Sequence, residues 1–178
     1  MITSVQHFLG KYSIASALKK RREKDIFNFQ TAQTMGIVFP ATDAWDMNVL
    51  DSFIRTAKSH NITVHAIGYV DDKVLHNKYK DSKQAAFLTK NELSFWGFPN
   101  SDKYREFTSQ KYDILIDFSS FPNIVTSYIS AKTNAKMKIA RDLDETRNIF
   151  DFLIKVDSNI KQQDFFNQIT HYLTTINS

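Results

Sequence analysis

Apolar positions recur along this chain in two alternating rhythms. From Val5 to about Arg22, the residues Val5, Phe8, Leu9, Tyr12, Ala15 and Leu18 return at spacings of three and four, the period of one helical face. This stretch predicts a helix whose last turn is basic. Met35 to Pro40 is instead a short apolar run with β-branched residues, closed by a polar turn from Ala41 to Asp43, and reads as a strand. Thr42 or Asp43 is placed to cap a helix from about Trp45 to His60, with Val49, Leu50, Phe53, Ile54 and Ala57 inward. Ile62 to Val70 predicts a second strand, which ends at Asp71 and Asp72.

The interval from Lys73 to Asn100 is the least regular, with an extended piece at Ala85–Leu88, a turn at Asn91–Phe95 and an aromatic loop, Trp96-Gly-Phe-Pro99. A brief helix is expected at Asp102–Gln110 and the strongest strand at Tyr112–Phe118. Phe121-Pro122 opens a helix through Asn134, since proline suits a first helical turn. Strands at Lys136–Arg141 and Ile149–Val156 follow, and then a final helix from about Lys161 to Ile176. Its apolar positions Phe165, Phe166, Ile169, Tyr172, Leu173 and Ile176 keep the helical spacing. Strands alternating with helices imply parallel βαβ units with right-handed crossovers. The expected fold is therefore α/β, a Rossmann-like three-layer sandwich with a mostly parallel sheet of about five strands, preceded by the basic N-terminal helix.

Charge divides the chain in a way the hydrophobic pattern does not. Residues 1–24 hold Lys11, Lys19, Lys20, Arg21, Arg22 and Lys24 against Glu23 alone, a net of +5, whereas the whole chain carries +4. Residues 25–178 therefore sum to −1. The organisation expected is a basic amphipathic arm at 1–24 and a single α/β domain at 25–178, within the size one core can serve. A localised cationic stripe acts as an address for polyanions, where dispersed charge serves solubility. The chain has no Cys, which excludes disulfides, thiolate metal sites and a Cys nucleophile. No run approaches the roughly 18–20 apolar residues of a membrane span. Cations follow the first apolar stretch, the reverse of a secretory signal. A mitochondrial-type presequence stays open, because residues 1–22 lack acids, but the expected location is the cytoplasm.

Candidate chemistry sits where strands end, because open parallel sheets bind ligands beyond their carboxyl edge. Those ends supply Thr42, Asp43, Asp71, Asp72, Asp117, Ser119, Ser120 and Arg141. Converging carboxylates are hard-cation ligands, and helix N-termini receive phosphate. The same residue types are also ordinary caps and turn formers, and no metal or cofactor is expected. The four glycines, at 10, 36, 68 and 97, form neither a G-x-G-x-x-G nor a Walker loop. No two histidines pair at i, i+4, no G-x-S-x-G elbow exists, and His65 in its apolar strand reads as an interior or sheet-face residue. No catalytic residue is assigned.

Tyr112-Asp-Ile-Leu-Ile-Asp-Phe118, the helix ending Ala131-Lys-Thr-Asn-Ala135, and Lys136-Met-Lys-Ile-Ala-Arg141 resemble the strand–helix–strand in the N-terminal half of heptosyltransferase-type glycosyltransferases. That likeness implies a fold and no activity, because those enzymes use a second Rossmann-like domain for the sugar nucleotide. Over most of its length the chain resembles an uncharacterised family of small Bacteroidota proteins. The likeness lies in the basic helix, the Met35–Asp43 strand and turn, Lys90-Asn-Glu-Leu-Ser-Phe-Trp-Gly-Phe-Pro99, and the Tyr112–Phe118 and Ala135–Arg141 strands. It brings no functional residues with it.

The leading expectation is a non-enzymatic domain that docks through Lys11, Lys19, Lys20, Arg21, Arg22 and Lys24 onto RNA or a ribonucleoprotein. Three alternatives stand beside it. One is an anionic membrane surface bound by the same arm. Another is an enzyme or sensor taking a phosphorylated metabolite at the strand-end crevice. The third is a homo-oligomeric contact through the arm.

Overall fold

A computed structural model describes residues 4–19, 21–71, 77, 79, 82–157 and 159–176. Lys20 and Asp72 lie outside the described residues. The helices are α1 (Ser4–Leu18), α2 (Met47–Ser59), α3 (Asp102–Ser109), α4 (Ile124–Lys132) and α5 (Gln162–Thr175). The strands are β1 (Thr34–Pro40), β2 (Thr63–Val70), β3 (Ala86–Thr89), β4 (Lys111–Asp117), β5 (Asn134–Arg141) and β6 (Phe152–Ile154). Among the described residues these six strands form one sheet of order β3-β2-β1-β4-β5-β6 with every pairing parallel. The chain winds outward from β1 to β3, crosses back, and winds outward again from β4 to β6. This is a doubly wound sheet whose order reverses between β1 and β4.

Both faces are covered, so the strands are nearly all apolar. On β1, Met35, Ile37 and Phe39 face α2 and α5, while Val38 faces α3 and α4. Gly68 on β2 makes room between the layers, because a Cβ there would lie 2.7 Å from Cζ of Phe39 and 3.0 Å from Cε1 of Phe87. α1 lies on α4 and runs in the same direction. Gly10 meets Ile124 at the start of α4, and farther along Ile14, Ala17 and Leu18 join a cluster with Tyr128 and Ala131. The basic end of α1 thereby arrives at the N-terminal edge of β5, the opposite end of the sheet from the strand-end crevice.

The sheet has six strands rather than about five. β3 is only four residues long, too short to declare a period, and the 3-10 turn Lys90–Glu92 follows it directly. The expected strand at Ile149–Val156 shrinks to β6, because Ile149 ends a 3-10 turn, Asp144–Ile149. α2 is capped by Asp46, whose carboxylate accepts the Asn48 amide at 2.8 Å, rather than by Thr42 or Asp43. Asn61, with φ 62°, closes the same helix in the left-handed region that asparagine tolerates. Pro122 precedes the cap of α4, Asn123, instead of entering its first turn.

Candidate anion-binding site

The crevice between β1 and β4 is filled by the protein's own rings. Trp45 stacks on Phe39 with centroids 4.6 Å apart, and Phe118 stacks on Phe166 at 3.9 Å. The Arg141 guanidinium lies 5.0 Å over Phe165 and is buried there, which lowers its pKa. Nε of Arg141 and Nε1 of Trp45 are both buried without a hydrogen-bond partner among the described residues. The loop after β1 is tied from two sides. The Tyr79 hydroxyl donates to the Thr42 carbonyl at 2.7 Å, while the Gln162 amide accepts from the Asp46 N–H at 2.9 Å and donates to its carbonyl at 3.0 Å. Amides that could greet a phosphate are already engaged, by Asp46 at α2 and at α4 by Asn123, which accepts from Val125 and Thr126 at 3.0 and 3.2 Å.

The strand-end residues do not converge. Asp117 turns into the interior, where it accepts the Ser119 amide at 2.9 Å and the Ser130 hydroxyl at 2.8 Å, and the Ser119 and Thr126 hydroxyls share a bond of 2.9 Å. Burial raises the Asp117 pKa, and the bonds from Ser119 and Ser130 only partly offset it. Asp71 accepts the Tyr69 hydroxyl at 3.1 Å at the end of β2, which β1 separates from β4. Burial, with help from Asp71, raises the Tyr69 pKa. Asp43 and Ser120 sit exposed in turns. Among the described residues no three His, Cys, Asp or Glu side chains are placed to hold a metal ion.

The basic segment makes a different kind of site. Arg22 donates from Nη1 to the carbonyls of Ala135 and Lys136, each at 2.9 Å, and pairs through Nη2 with Asp151. Lys24 pairs with the other Asp151 oxygen at 2.9 Å, and the Lys138 amide reaches the same carboxylate at 3.0 Å. Burial pushes the Asp151 pKa up, but these bonds and the Arg22 charge together hold it below the ordinary value. The contacts fasten the segment along the start of β5. Between it, the end of α4 and the β5–β6 connection lies a cavity of about 620 Å³. Among the described residues Lys19, Arg21, Arg22, Lys24, Lys132 and Lys138 border it, with Asp151 as the one bordering carboxylate. Lys11 stands apart, in a second hollow beside Asn123 and Glu145.

Three members of this site were not among the sequence candidates: Lys132, Lys138 and Asp151. Lys138 is 2% exposed, and its Nζ donates to the Ser130 carbonyl at 2.6 Å. One signal was available in the sequence. An interior parallel strand is covered on both faces, so a lysine alternating with Met137 and Ile139 cannot reach solvent on either side.

Fold and site together define a Rossmann-like α/β arrangement with aromatic rings packed at its strand-end crevice and a cationic cavity at the opposite edge of its sheet. The chain belongs to a family of unknown function, DUF6913, which matches residues 6–176. No curated protein and no solved structure matches it.

Proposed function

We propose that this chain is a non-enzymatic docking domain, working in the cytoplasm, that takes an RNA or ribonucleoprotein partner by its phosphates at the cationic edge. The observation that carries this reading is the convergence, among the described residues, of six cationic side chains from the α1 end, α4 and β5 around one cavity, with a single bordering carboxylate that two of them already occupy. Positive potential concentrated in a concavity attracts a polyanion more strongly than the same charge spread over a surface. At the strand-end crevice the rings of Trp45, Phe118 and Phe166 pack on one another, which favours the cationic edge over a metabolite site there. The packing of Ile14, Ala17 and Leu18 toward α4 favours the cationic edge over a membrane anchor, while Tyr12, 71% exposed, keeps the membrane as the alternative to test.

Fluorescence anisotropy with a short single-stranded RNA tests the reading. Three or four phosphate contacts predict a slope of roughly −2 to −3 for log affinity against log salt. The double variant Lys19→Glu, Arg21→Glu should weaken binding by roughly tenfold or more at low salt. RNA that does not bind at low salt would sink the proposal. Co-sedimentation with phosphatidylserine vesicles in that case would put the membrane in its place.

A further inference from the structure

The cavity has a floor as well as a rim. Lys138 is buried, while Lys19, Arg21 and Lys132 are exposed around it. The Lys138 ammonium caps the end of α4, with Nζ 2.6 Å from the Ser130 carbonyl and 3.5 Å from that of Ala131. Those carbonyls are dipoles and leave its charge without a full counterion. Asp151 supplies only part of one, because its single charge is shared with Arg22 and Lys24, which both pair with it. A lysine buried in this way is retained at a cost in stability unless something anionic reaches it. A through-running diester backbone stays at the exposed rim, whereas a terminal phosphate can reach down toward the buried lysine. A monoester also carries a charge of about −1.5 to −2 and three acceptor oxygens. A volume of about 620 Å³ holds the phosphate together with the nucleoside or sugar attached to it.

We propose that this cavity is a binding site for a phosphomonoester, the terminal phosphate of an RNA strand or of a phosphorylated small molecule, with Lys138 on its floor and Lys19, Arg21 and Lys132 at its rim. The RNA source rests on the docking reading above; the small-molecule source stands without it. Burial, then the charges of Arg22 and Lys24, bring the Lys138 pKa down to about 7 against the pull of Asp151. The other charged groups around it are Lys19 and Arg21 from the α1 end, Lys132 from α4, and on its own strand Lys136, which pairs with Asp113 at 3.8 Å. A bound dianion favours the charged ammonium, so binding takes up a proton and weakens as pH rises above about 7. The ligand cannot mimic this, because a monoester with a second pKa of about 6 gains charge with rising pH.

The test uses the full chain and one RNA oligonucleotide carrying either a 5′-phosphate or a 5′-hydroxyl, with inorganic phosphate and ribose 5-phosphate titrated in parallel by thermal shift. The expected result at pH 7 is roughly tenfold tighter binding of the phosphorylated strand. That preference should fade by pH 9 and be absent in Lys138→Met, for which the two strands should bind with equal affinity. Lys132→Glu, an exposed change, should reduce the same preference if Lys138→Met does not fold. If the two strands bind alike while ribose 5-phosphate stabilises the wild type and not Lys138→Met, the site stands and its source is the small molecule. If no RNA binds at all, the docking reading fails, and the phosphate titrations still decide the cavity. Equal binding of both strands, with no response to either phosphate probe, overturns the proposal.

Discussion

Asp117 keeps its carboxylate 3% exposed among Ser119, Thr126 and Ser130, and that position sets a pH dependence. Its folded pKa lies above its unfolded one, so between the two values the native protein holds more protons than the unfolded chain. Stability then falls as pH rises from the ordinary carboxylate range. Asp117→Asn keeps an acceptor for the Ser119 amide and removes the titration. Urea melts should show the variant gaining on the wild type as pH rises from the ordinary carboxylate range; parallel pH profiles would refute this. The sequence placed Asp117 at a strand end but could not say which way it faced. That direction is decided by Ser130, thirteen residues away on α4, which offers a hydroxyl from inside the molecule.

Among the elements, α1 is the one whose role depends most on where it docks. A Cβ at Gly10 would lie 2.8 Å from Cγ1 and 3.1 Å from Cδ1 of Ile124, so a β-branched side chain there must push the two helices apart. Gly10→Val should cost about 1–3 kcal/mol, and limited proteolysis should then cut first near residues 19–25, where α1 hands over to the Arg22 anchor. Unchanged cleavage would show that α1 is held by Arg22 and Asp151 alone. The helix α1 was legible in the sequence but its buried face was not, since Tyr12 and Ala15 of the expected face are exposed and Ile14 is buried; α2, α5 and the four longer strands were legible because each is long enough to show its repeat. β3 and β6 were less so, at four and three residues. The cap of α2 moved to Asp46 because only the folded turn shows which carboxylate meets the Asn48 amide.

At the scale of the molecule, the sheet keeps its packing and its charge at opposite ends. Trp45 joins β1 to α5 through Phe39 and Phe166, so Trp45→Ala should lower stability by about 3 kcal/mol, the lower end for such a truncation because an unpartnered indole N–H leaves with the ring. RNA affinity of the folded fraction should stay unchanged, since the cationic cavity lies at the far edge; a parallel loss of binding would contradict that separation. The sequence by itself determined the class of fold and the concentration of positive charge in the first 24 residues. Each of these is local, written in periodicity and composition. Only the tertiary structure decided that the strand-end crevice is closed by rings, and that Arg22 and Lys24 are fastened to Asp151. It also brought Lys132 and Lys138, more than a hundred residues beyond the basic segment, in to complete the cavity. Those outcomes depend on strand order and on the face α1 covers, contacts between distant residues that no local pattern encodes.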